Sequence, residues 1–119
     1  MHFEAPDESI WIGVLRIELT INGSKSLKDK RKQVARFRER FRRRYNMSVA
    51  EVGHLENKHH SVLAACMISN DQKHLRSTLD LRAHEAMTLL DARIDSHQVL
   101  VFPSANPPWT SNDRYPQAT

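Results

Sequence analysis

The 119-residue chain carries 18 Lys and Arg against 14 Asp and Glu, with 39% hydrophobic and 27% charged residues, so its formal net charge is +4. That length supports one domain with a modest core and excludes two independent ones. No apolar run approaches the roughly 20 residues of a membrane-spanning helix, the start from Met1 to Glu8 is acidic rather than signal-like, and the one cysteine, Cys66, has no internal disulfide partner; the expectation is a cytoplasmic protein with no membrane role.

Taken in chain order, residues 1–9 read as an N-terminal extension, 10–102 as a single domain and 103–119 as a Pro-rich tail with little regular structure. From Ile10 to Ile21 the residues alternate as a strand. Trp11, Gly13, Leu15, Ile17, Leu19 and Ile21 share one side, and Asn22-Gly23 ends the run. Ser26 is placed to cap a following helix, with Asp29 favouring the positive end of its dipole. Leu27, Val34, Phe37, Phe41 and Tyr45 make that helix's core stripe, and Asn46 is its stop signal. Met47 to His54 and Ser61 to Ser69 read as two strands joined in a hairpin. Ser69-Asn70-Asp71-Gln72 resembles a capping box with Ser69 as the cap. It opens a second helix with the stripe Leu75, Leu79, Ala83, Ala86 and Leu90, and Ile94 to Phe102 is the last strand.

The order β-α-β-β-α-β predicts an α+β, ferredoxin-like sandwich: a four-stranded antiparallel sheet with two helices on one face. The other face is then open. The third strand is apolar on both alternations, with Val62, Ala64, Cys66 and Ile68 on one and Leu63, Ala65 and Met67 on the other, so a homo-oligomer built through that face is expected. Cys66 itself reads as a small core residue. The open strands lack the exposed aromatics that stack bases in RNA-recognition motifs.

Charge is concentrated in one place. Lys25 to Arg44 holds 11 of the 18 cations against Asp29 and Glu39, which makes the segment +9 and leaves −5 for everything else. Such a dipolar molecule draws a polyanion to its basic element. At the helical period Lys25, Lys32, Arg36, Arg40 and Arg43 fall on one line opposite the core stripe, suited to successive phosphates. The competing reading, a solvated helix face, explains mixed charge better than 11 positives with like-charged neighbours at i and i+4.

Enzymatic chemistry is not indicated. His54, His59 and His60 cluster near the hairpin with Glu56 but lack metal-ligand spacing, no Gly-rich phosphate loop occurs, and no cofactor is expected. Glu51 and His54 do not form an acid/base pair on a strand; a structural ion pair between Glu51 and the basic helix is expected instead.

The runs Gly13-Val14-Leu15-Arg16-Ile17-Glu18-Leu19, Ser26-Leu27-Lys28-Asp29-Lys30-Arg31, Asn46-Met47-Ser48-Val49-Ala50-Glu51-Val52 and Ser69-Asn70-Asp71 resemble the signature segments of the YlxP-like family of small bacterial proteins, a domain of unknown function. The resemblance covers about residues 10–102. It implies a ferredoxin-like fold and a non-enzymatic protein encoded near transcription and translation factors, including a ribosome-binding factor. The expectation is therefore an RNA- or ribosome-associated protein, acting in ribosome maturation or transcription/translation coupling. Its nucleic-acid-binding residues are expected to be Lys25, Lys28, Lys30, Arg31, Lys32, Arg36, Arg40 and Arg43, of which Lys28, Lys30 and Arg31 enter as members of the motif. The alternative is a protein-interaction module that recruits an acidic or translation-apparatus partner through the open sheet or the tail.

Overall fold

Strict alternation of burial defines the first strand, β1 (Trp11–Ile21), in which Gly13, Leu15, Ile17, Leu19 and Ile21 are buried while the residues between them are partly exposed. The structure, a computed structural model, describes residues 4–89 and 92–108; residues 1–3 of the extension, Leu90 of the second apolar stripe and 109–119 of the tail lie outside the described residues. The remaining elements are α1 (Leu27–Tyr45), β2 (Ser48–Gly53), β3 (His60–Ser69), α2 (Gln72–Leu89) and β4 (Ala92–Pro103). Strand order is β2-β3-β1-β4, and every neighbouring pair is antiparallel. This is the ferredoxin-like α+β sandwich that the element order predicts.

Helix α1 starts and stops where its side chains dictate. The Ser26 hydroxyl accepts from the Asp29 backbone N–H at 3.0 Å, and Asn46, at φ 52°, takes the left-handed conformation and donates its N–H to the Arg42 carbonyl at 2.9 Å. The second cap differs from the sequence expectation. Asp71 caps α2 by accepting from the His74 N–H at 3.0 Å, whereas Ser69 only braces the Asp71 N–H. A carboxylate one residue from the helix start reaches the third N–H better than a serine still on the strand.

The core lies between the helices and one sheet face: Leu15, Ile17, Leu19, Leu63 and Ala65 meet Val34, Phe37, Phe41, Leu75, Leu79, Ala83 and Ala86. Helix α2 lies close against β1 at Gly13, where an added Cβ would sit 2.5 Å from Leu79 Cδ1. Helix α1 packs through aromatics, with ring centroids 5.4 Å apart for Phe37 and Phe41 and 4.9 Å for Phe41 and Tyr45. Its contacts are mainly with β2 and α2 rather than the central strands. Strand β4 begins at Ala92, two residues before the expected Ile94, and pairs Ala92 with Ile21 beyond a register shift at Glu18 and Leu19.

The second sheet face carries Ile12 and Val14 of β1, paired across to Ile68 and Cys66 of β3 and to Phe102 and Leu100 of β4. Ile68 is 70% and Leu100 45% exposed. Cys66 is exposed on this face, not buried in the core: apolar neighbours on both alternations made its side ambiguous, and the pairing with Val14 settles it. The far end of the same face is polar. There the Thr20 hydroxyl donates to Asp95 at 2.7 Å and accepts from Arg93 at 3.2 Å; that hydroxyl, then the Arg93 guanidinium, holds the Asp95 carboxyl below its usual range.

Candidate functional site

The basic run divides into three groups once folded. The first is Lys30 alone, which departs from expectation by being fully buried. It occupies the core stripe between Leu27 and Val34, so its ammonium points at the β2–β3 hairpin. There it donates to the carbonyls of His54 at 2.7 Å and His60 at 3.1 Å and pairs with Glu51 at 3.0 Å. Three N–H donors meet three acceptors, which satisfies the group completely. Glu51 also accepts from the Ser61 hydroxyl at 2.6 Å. The ion pair expected between Glu51 and the basic helix is thus present, and Lys30 is withdrawn from any surface that meets a polyanion. Its anchor holds His54, which sits at φ 55°, a left-handed conformation uncommon outside glycine.

The second group is partly offset at the surface. Arg42 and Arg43 both bind Glu39, each at 3.0 Å, and their hydrogen bonds hold the Glu39 carboxyl below its usual range, Arg42 contributing most. Arg43, expected to end the phosphate line, therefore spends its charge locally. Arg44 lies against the Tyr45 ring, 5.7 Å from its centroid.

Lys25, Lys28, Arg31, Lys32, Arg36, Arg38 and Arg40 form the third group. All are exposed, and none makes an ion pair among the described residues. Lys25 precedes the helix, where its backbone N–H donates to Asp29 at 3.3 Å, so it lies off the helical line. What remains of that line is Lys32, Arg36 and Arg40, spaced at i, i+4 and i+8, about 6 Å of rise per step. They repel one another, and none of them is paired with an acid among the described residues.

Beside this row runs a cleft of about 410 Å³ between α1, the end of β1, Leu89 of α2 and Ala92 of β4. Buried Leu19, Ile21, Val34, Phe37 and Leu63 make its floor, Leu89 and Ala92 its opposite wall, and Lys32, Arg36 and Arg40 its rim, with Gln33, Asn22 and Asp29 also lining it. No sequence signal marks this cleft, because its walls come from three elements far apart in the chain.

A polar tie joins the C-terminal end of α1 to α2. The Tyr45 hydroxyl donates to Glu85, which Arg82 also pairs at 2.9 Å while its guanidinium lies 4.3 Å above the Tyr45 ring. The Tyr45 bond chiefly holds the Glu85 carboxyl below its usual range, and burial chiefly pushes the Tyr45 phenol up. Of the histidines, His54 and His60 approach with ring centroids 5.9 Å apart, and the Asn57 side-chain carbonyl braces the N–H groups of His59 and His60. Among the described residues no three His, Cys, Asp or Glu side chains come together as metal ligands, and no helix is long and apolar enough to cross a membrane.

The family model described as "Protein of unknown function (DUF503)" matches residues 12–98, and the chain belongs to that family. No curated protein matches it. Among solved structures it is similar to a de novo designed protein, Foldit4, at 15% identity and a TM-score of 0.43, over 82% of this chain and 99% of that one.

Proposed function

We propose that this DUF503-family protein is a non-enzymatic, RNA- or ribosome-associated protein that holds phosphate backbone along α1. The observation that carries the reading is the row Lys32, Arg36 and Arg40, exposed along one line of α1 and without an ion pair among the described residues, while Lys30 is buried against Glu51 and Arg42 and Arg43 share Glu39. Like charges at i and i+4 cost a few tenths of a kcal/mol per pair, and an anionic partner offsets that cost. Backbone contacts of this kind position a protein without reading sequence. The likeness of the Ser26 to Arg31 run and its companions to the YlxP-like family supports a cytoplasmic role near ribosome maturation or transcription/translation coupling. Exposed Ile68 and Leu100 on the open sheet face support self-association through that face.

The test is charge reversal. With Arg36→Glu and Arg40→Glu together, RNA that copurifies with the wild-type protein is lost while the fold is kept. RNA that persists on the double variant contradicts the reading. Retention of an acidic protein by the wild type, lost in the double variant, with no RNA in either, favours the interaction-module alternative.

A further inference from the structure

The cleft beside the cation row is unused by backbone docking. Phosphate contacts need only Lys32, Arg36 and Arg40, yet these cations rim a hollow whose floor is hydrocarbon and one aromatic ring, Phe37. Charge at the rim and apolar surface below it complement a ligand with an anionic group on one side and a flat, weakly polar group on the other. A nucleotide has that division. We propose that the cleft receives an unpaired base of single-stranded RNA whose flanking phosphates lie on the row. This rests on the backbone-docking reading and adds the class of nucleic acid the site prefers.

Three features favour a base over a plain acyl chain. First, the cations are repeated along the helix rather than gathered at one point, which matches a phosphate on each side of the inserted group. Second, Gln33 and Asn22 place amides among the lining residues, each able to donate and to accept, as a base edge requires. Third, the volume of about 410 Å³ accommodates one ring system with its sugar at the mouth. Asp29, the one acid lining the cleft among the described residues, receives the Lys25 backbone N–H. Single strands can splay a base into such a hollow, whereas a duplex keeps its bases stacked and paired.

The experiment compares a ten-nucleotide single-stranded RNA with a duplex of the same strand length, by fluorescence anisotropy at matched salt. The expected result is binding about tenfold tighter for the single strand, the gain from covering part of one base with the cleft's apolar lining. Gln33→Trp, which fills the cleft and leaves the row intact, should bring the two affinities together without changing the salt dependence. If wild-type protein binds both forms equally, with salt dependence intact and indifferent to Gln33→Trp, the cleft inference falls and backbone docking stands. If neither RNA binds in a salt-dependent way, backbone docking falls and takes the inference with it. A second readout does not depend on the variant folding: the backbone amide resonances of Leu89 and Ala92, across the cleft from the row, should shift with the single strand and not with the duplex. Shifts with decanoate but not with RNA would assign the cleft to an anionic amphiphile and overturn the inference.

Discussion

Lys30 and Arg36 come from the same basic run on the same helix and meet opposite surroundings. Lys30 is fully buried, with every donor matched to a carbonyl or to Glu51. Arg36 is exposed and unpaired among the described residues. The difference shows that a cluster of cations in sequence is not one functional unit: helix phase assigns each side chain to the core or to water, and nearby acids then decide which charges stay available. In α1 the buried half locks the helix to the β2–β3 hairpin, and the exposed half is left to face an anion.

The largest expected effect tests the anchored half. Lys30→Met leaves Glu51 and the two hairpin carbonyls without their donor and should cost about 3–5 kcal/mol, the usual penalty for stranding one partner of a buried pair. Urea unfolding measures it. Pairing that change with Glu51→Leu should recover only the part due to the stranded Glu51 charge, since the hairpin carbonyls do not regain the Lys30 donor and the Ser61 hydroxyl loses its acceptor. If Lys30→Met unfolds at the wild-type midpoint, the anchor is not structural.

A smaller change sharpens the same division at the C-terminal end of the helix. Glu85 lies below its usual 4.5, chiefly through the Tyr45 bond, and Tyr45 lies above its usual 10.0, chiefly through burial, so both groups favour the fold between those limits. The Glu85 contribution is full above 4.5 and is lost as pH falls through its lowered folded value; that of Tyr45 is full below 10.0 and is lost as pH rises through its raised one. Tyr45→Phe should therefore lower the thermal midpoint most near neutrality, and the gap from wild type should narrow toward both extremes. A gap independent of pH would mean that the ring's packing, not the bond, accounts for the change.

The smallest effect concerns the arginines paired with Glu39. Glu39→Gln frees Arg42 and Arg43 from their acid, so the salt dependence of RNA binding should steepen by about 0.7 in log-log slope for each cation that joins the row. An unchanged slope would show that these two arginines lie beyond the reach of the bound strand.

Most of the fold was legible because its hydropathy pattern is strict. The alternation in β1, the aromatic spacing from Phe37 to Tyr45 and the stop at Asn46 each follow from local rules that tertiary structure did not override. Lys30 was harder, since a charged residue on a core stripe inverts the usual assignment. Its one signal was the seven-residue step from Leu27 to Val34, which leaves a stripe position unfilled by any apolar side chain. The expectation that Cys66 lies in the core fails for the opposite reason: β3 is apolar on both faces, and only its register against β1 distinguishes them. The loss of Arg43 to Glu39 was readable as an i, i+4 pair, but the shared use of Glu39 by Arg42 depends on side-chain geometry. The cleft was not legible at all.

The most direct test of the central claim is the salt dependence of single-stranded RNA affinity. With Lys32, Arg36 and Arg40 as the productive contacts, log affinity against log salt should fall with a slope near about −2, and the triple variant Lys32→Gln, Arg36→Gln, Arg40→Gln should flatten it toward zero while unfolding no more easily than wild type. A slope that survives the triple substitution, or a wild-type response that is flat from the start, would contradict the claim that this row holds the backbone.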